Sequence, residues 1–343
     1  MRRLPILLAA AGLLLAGCSS NSTNSTSTAV DPASLDDTGF PMTIENCGHQ
    51  LTIKSPATRI FSFNQEMSES LLSMGLANQM VATGRWNEPV LPSLAADAKK
   101  VKNLGNDTSA EAVLDLEPDL LAASWDPFQE SSFGSRATFE KVGVPVYISP
   151  TECVGKQNTG DSDNSERTGM IDVNVFYDEL KQLATIAGRP DRGTELVDDL
   201  KKKVDDAQKY DFSSVTAAFW YADSETPYMA GCCGASGFIA EQLKLKNVFA
   251  DTKKDWPQVS WEAVAAKNPD VLVIPDLDRD NLKSADSGAA KIAFLESNPI
   301  TKQMDAVKNK RYVLIRGTVL TPSVEMIYGI SDIAKRLTEL GFK

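Results

Sequence analysis

Apolar residues are distributed differently at the start of the chain and in the rest of it. The leader MRRLPILLAAAGLLLAGC packs them into one uninterrupted block, Leu4 to Leu15, and the polar run SSNSTNSTSTAVDPAS that follows contains almost none. From Phe40 onward, short apolar or β-branched runs alternate with stretches of helical period. PMTIENCGHQLTI predicts a hairpin, RIFSF a strand, NQEMSESLLSMGL a helix and MVATG a strand. A helix over SAEAVLDLE, a strand at DLLAASW, a helix around SRATFEKVG and a strand at VPVYISP continue the series. In the centre, Phe176, Leu180, Leu183, Ala184 and Ala187 lie on one helical face, and Leu196, Leu200 and Val204 resume it after GRPDRG. Gly188 and Pro190 predict a bend there. Alternation then restarts: VTAAFWYA, GFIAEQL, SWEAVAAKN, VLVIPD, AFLES, ITKQM, RYVLIRG and a final helix over SVEMIYGISDIAKRLTEL.

Strand–helix alternation on both sides of a central helix predicts an α/β fold: two Rossmann-like lobes of mainly parallel sheet joined by a long central α-helix, with a cleft between them. The expected divisions are a leader over 1–17, a tether over 18–39, an N-terminal lobe over 40–168, a connecting helix over 169–210 and a C-terminal lobe over 211–343. One phrase occurs in both lobes. Ala110-Glu111-Ala112-Val113-Leu114-Asp115-Leu116-Glu117-Pro118-Asp119 is echoed by Trp261-Glu262-Ala263-Val264-Ala265-Ala266-Lys267-Asn268-Pro269-Asp270. Each predicts a helix with an early glutamate, then x-Pro-Asp, then a buried strand.

The leader has a positive start at Arg2 and Arg3, a short apolar region and the small-residue site Leu15-Ala16-Gly17-Cys18. The apolar run is too short to span a bilayer comfortably, so it reads as a removable export signal. The cysteine at its end resembles the bacterial lipoprotein signal, which makes Cys18 the lipidated first residue. The polar run cannot bury enough surface to fold and is expected to be a flexible tether. Removing the two arginines leaves 33 basic against 46 acidic residues, a net charge of −13. Such a balance argues against nucleic acid or anionic lipid as a partner. No phosphate loop occurs, and no second apolar run reaches membrane-spanning length. Outside the cytoplasm, the four cysteines left after Cys18 are open to oxidation, and four cysteines allow three pairings.

These features together resemble the cobalamin and iron-siderophore class of bacterial substrate-binding lipoproteins that serve ABC importers. The carriers are Arg59-Ile60-Phe61-Ser62 leading into a Glu-rich helix, the doubled Glu-x-Val…Pro-Asp phrase, the central helix and Trp256-Pro257-Gln258-Val259-Ser260. The resemblance implies two rigid lobes with little closure. It also implies an ABC permease and its ATPase as partners, with one acidic docking residue per lobe, Glu111 and Glu262 by position. On their own, these two residues read first as first-turn acids favoured by the helix dipole, and the repetition in both lobes together with the family pattern shifts the reading to docking. A lipid anchor as the only membrane contact, a monomer, and a place on the outer face of the cytoplasmic membrane complete the expectation.

Ligands in α/β lobes meet strand ends and the loops after them. Those positions hold Arg85, Trp86, Trp125, Tyr228, Cys232, Cys233, Trp256 and Arg316. In the related cobalamin binders, aromatic side chains at loops like those of Trp86, Trp125 and Trp256 line the cleft. Trp220 and Trp261 are expected in the core. Two arginines at facing strand ends favour an anionic chelate, so a ferric siderophore comes first and a corrinoid second. Another large anionic cofactor precursor follows, and haem comes last. The only histidine, His49, lies in the early hairpin, and Tyr221 or Tyr228 keeps haem open. No metal site and no resident cofactor are expected, because the ligand is itself a metal chelate.

The enzyme reading needs a nucleophile with a base beside it. Cys232 and Cys233 have only His49 as a partner, and HExxH, GxSxG and CxxC are all absent from the sequence. A surface receptor without transport is a third reading. Cys47 and Cys153 both flank N-lobe strands and are the expected disulfide. Cys232 and Cys233 then remain as thiols or close a vicinal bridge at the rim of the cleft.

Overall fold

The computed structural model describes residues 34–86, 88–128, 133–157, 165–277 and 286–343. The leader, Cys18 and most of the tether lie outside the described residues. A hairpin opens the fold: β1 (Met42–Asn46) and β2 (His49–Ile53) pair antiparallel around Cys47 and Gly48, both at positive φ. The N-lobe follows as β3 (Ile60–Phe63), α1 (Gln65–Ser73), β4 (Met80–Gly84), α2 (Ala95–Ala98), α3 (Ala110–Leu114), β5 (Leu120–Ala123), α4 (Arg136–Lys141) and β6 (Val146–Ile148). Its sheet has the order β4-β3-β5-β6, with every pairing parallel. Helices on both faces leave no wet side, and β3, β5 and β6 are buried along their whole length.

A short antiparallel pair follows, β7 (Lys156–Gln157) and β8 (Glu166–Arg167). Both strands are polar and only two residues long, too short for hydrophobic periodicity to predict. Next come α5 (Val173–Ile186) and α6 (Pro190–Ala207). The expected bend is a full break. Gly188 sits at φ +65 and donates to the Thr185 carbonyl, while Arg189 N–H reaches back to Ala184. That left-handed cap ends α5, and Pro190 opens α6 where its missing N–H is harmless. The two helices then pack against each other closely enough that a Cβ on Gly193 would lie 2.7 Å from the Ala184 Cβ.

The C-lobe repeats the first arrangement: β9 (Thr216–Phe219), α7 (Ala235–Gln242), β10 (Lys246–Asn247), α8 (Trp261–Lys267), β11 (Val271–Asp276), α9 (Gly288–Ser297), α10 (Asp305–Lys308) and β12 (Tyr312–Arg316). Its order, β10-β9-β11-β12, is again parallel throughout. The terminal α11 (Val324–Glu339) packs on α6, α7 and, across the lobe boundary, α1. One apolar cluster therefore runs through both lobes along α1, α5, α6 and α11, and separate clusters fill the outer side of each sheet. Trp220 and Trp261 lie in the C-lobe cluster, edge to face at 4.8 Å.

The doubled phrase has a physical basis in these contacts. Asp119 accepts hydrogen bonds from Thr58 N, Thr58 Oγ1 and Arg59 N at 2.8, 3.1 and 2.9 Å. Asp270 accepts from Thr216 N and Oγ1 at 2.9 and 2.7 Å. Each aspartate thus ties the entry of β5 or β11 to the entry of the neighbouring strand. In the N-lobe, the expected disulfide Cys47–Cys153 fastens the first hairpin to the loop after β6, with 5.6 Å between Cα atoms.

Candidate functional site

Strand order reverses between β3 and β5 in one lobe and between β9 and β11 in the other. The carboxyl ends at those switch points face each other across a cleft. From the N-lobe come Asn64, Glu66, Arg85, Ser124 and Trp125; from the C-lobe come Tyr221, Trp256, Gly317, Thr318 and residues 320–322. Asn64 adopts φ 84 as the chain turns from β3 into α1, and its Oδ1 accepts from Ser124 N at 3.2 Å. Glu66 then bridges the lobes: Ser124 Oγ and Thr321 Oγ1 each lie 3.4 Å from its carboxylate.

Aromatic walls stand on both sides. Trp125 is 37% exposed, an uncommon state for so large a ring, and meets Phe63 edge-on at 5.7 Å. The Arg85 guanidinium lies 5.4 Å from the centroids of both Trp125 and Phe63. Opposite, Trp256 packs on Tyr221 at 4.7 Å. Tyr221 is fixed from behind by Lys291, whose fully buried ammonium donates to the Tyr221 and Pro275 carbonyls.

Of the residues expected at the cleft, Arg85, Trp125 and Trp256 are brought together there. Trp86 is not. Its indole N–H donates to the Glu88 carbonyl at 2.8 Å, and its ring packs on the apolar cluster. Tyr228 pairs with Tyr221 and Ala222 through the backbone and bridges to Gln258. Arg316 leaves the cleft for the lobe boundary, where Glu325 takes its Nη2 at 2.8 Å and Glu69 lies 3.6 Å away. The two-arginine argument for an anionic ligand therefore loses one arginine. Burial, followed by the adjacent Glu325 carboxyl, pushes Glu69 up to about 9, so Glu69 holds a proton near Arg316 at neutral pH.

Cys232 and Cys233 form a vicinal disulfide. Their neighbours Gly231, Gly234 and Ala235 line the cleft, while the cysteines brace the loop from behind. Cys232 N–H donates to Thr252, and the Cys233 carbonyl accepts from Ile171. Glu111 and Glu262 are exposed in the first turns of α3 and α8, each two residues after the N-cap serine: Ser109 Oγ accepts from Ala112 N, and Ser260 Oγ from Ala263 N.

Sequence reasoning missed the charged back wall. Arg167 Nε meets Asp255 Oδ1 at 2.7 Å, and Lys156 lies 3.0 Å from Glu152 and 3.8 Å from Asp255. Burial raises the Glu152 carboxyl above its ordinary range, against the pull of Lys156. The hairpin of β7 and β8 carries these cations across to the C-lobe, with Arg167 N–H on the Lys253 carbonyl and Asp255 N–H on Ser165. No spacing rule joins residues so far apart in the chain. Glu66, in the first turn of α1 just after β3, is within reach of the strand-end rule. Among the described residues, no group of three or more His, Cys, Asp or Glu could hold a metal ion.

Residues 60–318 match the family described as periplasmic binding protein. A vitamin B12-binding protein of Vibrio cholerae is 25% identical over 222 residues, covering 63% of this chain and 70% of that protein. An uncharacterized ABC transporter substrate-binding lipoprotein of Bacillus subtilis, YvrC, is 24% identical over 98% of this chain and 96% of its own length. The fold is shared with a periplasmic binding protein from Veillonella parvula, at TM-score 0.72 and 22% identity over 86% of this chain and 97% of that one. An Fe3+-hydroxamate transport protein from Saccharomonospora viridis superposes at TM-score 0.70, with 23% identity over 87% and 99% of the two chains.

Proposed function

The chain belongs to the periplasmic binding protein family, and from that premise we propose that it is the substrate-binding lipoprotein of an ABC importer. It captures a ferric siderophore or a similar large metal chelate outside the cytoplasmic membrane and delivers it to the permease. The observation that carries this reading is the interlobe cleft, with Trp125 and Arg85 on one wall and Trp256 on Tyr221 on the other. Flat apolar rings with one charged fork suit a large chelate rather than a small ion. The similar proteins are binding proteins, which supports capture rather than catalysis.

A corrinoid is the second reading. It is favoured by the engagement of Arg316 with two glutamates, which leaves the cleft without a facing pair of free arginines. The B12-binding name of the Vibrio cholerae relative points the same way. Glu111 and Glu262, one exposed acid on each lobe, are the proposed contacts for permease arginines, and Cys18 is the proposed lipid attachment.

Titration of tryptophan fluorescence with ferric siderophores, cyanocobalamin and haem tests the reading. The correct chromophore quenches Trp125 and Trp256, and the Trp125→Phe variant loses a large part of that signal. No response to any of the three overturns the proposal. Glu111→Lys with Glu262→Lys should stop uptake and leave affinity intact.

A further inference from the structure

We infer that the chamber between the β7–β8 hairpin and the start of α7 is a subsite for an uncharged carbonyl group, an amide arm of the ligand. The inference rests on the proposed function above and names the chemistry that the back of the cleft recognises. The chamber has a volume of about 110 Å³, against about 250 Å³ for the adjoining space in front of Arg85 and Tyr221. The two share Glu66, Trp125 and Thr321 in their linings. Sites for whole drug-sized ligands run from roughly 300 to 1,000 Å³. The chamber therefore takes an arm of a chelate whose body sits in front of it.

Its charges leave no place for an anion. Lys156 and Arg167 face Glu152 and Asp255 in the ion pairs described above, and Glu66 adds a third carboxylate to the lining. An incoming anion would meet Asp255 beside Gly234, where a Cβ would stand 3.0 Å from Asp255 Oδ1. An incoming cation would meet Lys156 and Arg167, and Glu66 is already engaged by Ser124 and Thr321. Both cations are matched, so an anion finds no counter-ion waiting for it, whereas an uncharged group does not disturb the pairs.

Hydrogen-bond donors, by contrast, are left over. Ser236 lines the chamber at 2% exposure, and its Oγ has no hydrogen-bond partner among the described residues. It lies in the first turn of α7, where Gly234 is the N-cap and no side chain caps the first amides. Helix starts carry unsatisfied N–H groups and partial positive charge, and a buried hydroxyl in a native protein is ordinarily paired. A carbonyl oxygen accepts from the Ser236 hydroxyl and from a first-turn N–H at once, and it needs no charge to do so. Carboxamide arms of a corrinoid and the amide links of a ferric hydroxamate both offer such an oxygen.

The test uses the full chain, with cyanocobalamin and ferrioxamine B as probes, each titrated calorimetrically into the parent protein and the Ser236→Ala variant. The variant removes one oxygen and should unfold at the parent's temperature. It should bind the responsive probe about 3- to 10-fold more weakly, the loss of one neutral hydrogen bond. Whichever probe shows the loss identifies the source of the amide. Cyanocobalamin with one side-arm amide hydrolysed to a carboxylate should bind less well than the intact molecule, and Asp255→Asn should narrow that gap. If the parent binds a probe and Ser236→Ala binds it equally, the subsite is wrong and the transport reading stands. Tighter binding of the carboxylate form also overturns the subsite. If the parent binds neither probe and no other chelate, the transport reading fails and the subsite fails with it.

Discussion

In the N-lobe, Asp119 collects three donors from Thr58 and Arg59; in the C-lobe, Asp270 collects two from Thr216. Around these aspartates the two sheets have the same strand order and the same parallel sense. The lobes differ beyond the strand ends. After β3 the chain enters α1 at once through Asn64, whereas after β9 it runs through residues 220–234, with the vicinal cysteines, before α7 begins. They differ also in their buried charge. The N-lobe side holds Glu179, which burial pushes up to about 8 despite a hydrogen bond from Ser149. The C-lobe holds Lys291 among carbonyls, its ammonium 5.5 Å from the Trp220 ring centroid. The two lobes thus share their strand scaffold and differ in the segments beyond the strand ends, which line the cleft.

The largest expected effect separates the two disulfides. Cys47–Cys153 closes a loop with a sequence separation of 106. Replacing both residues by serine should cost about 4 kcal/mol through restored freedom of the unfolded chain. The same change at Cys232 and Cys233, with a separation of 1, should cost far less. Denaturant unfolding of both double variants measures the gap, and equal losses would mean that loop length does not govern it.

Lys291→Met comes next. It leaves two buried carbonyls without their donor, at about 2–4 kcal/mol, and frees Tyr221, so ligand affinity should fall together with stability. Unchanged affinity would show that Tyr221 is held by other contacts.

Asp119→Ala and Asp270→Ala should cost about 1.5–3 kcal/mol each, with the three-donor aspartate the more costly. The reverse order in thermal unfolding would break the parallel between the lobes.

The buried acids also make stability depend on pH. Folding keeps Glu179 protonated up to about 8, whereas its ordinary value is 4.5. Its contribution to stability is complete below about 4.5 and is lost as pH rises towards 8, with a slope of at most about 1.4 kcal/mol per pH unit. Glu69 adds a parallel loss that continues to about 9. Glu179→Gln should flatten the first component and leave the second, as read from unfolding curves between pH 5 and 9.

Period and turn chemistry made the scaffold legible. Short continuous apolar runs such as DLLAAS and VLVIPD, bounded by Pro and Asp, read as strands covered on both faces, and the echoed Pro-Asp phrase located the equivalent points of the lobes. The cleft was legible in part. Arg85, Trp125 and Trp256 follow from the strand-end rule, but the rule does not say which way a side chain turns. Trp86 and Arg316 found closer partners in Glu88 and Glu325. Helix α7 starts at Ala235, two residues earlier than GFIAEQL suggested, which places Ser236 in its first turn. The Arg167–Asp255 pair was out of reach, since only the folded chain brings a polar hairpin to a loop 88 residues away.

The break at Gly188 also bears on how fast the protein works. Two helices locked side by side, with α11 bridging to α1, give the lobes no slack strand about which to swing. Free and loaded shapes should then agree to within roughly 1 Å in backbone position. Loading becomes a single encounter step whose rate scales with ligand concentration and shows no plateau. On the proposed function, selectivity among chelates would then be expressed in how long each stays, and emptying the cleft would fall to the permease.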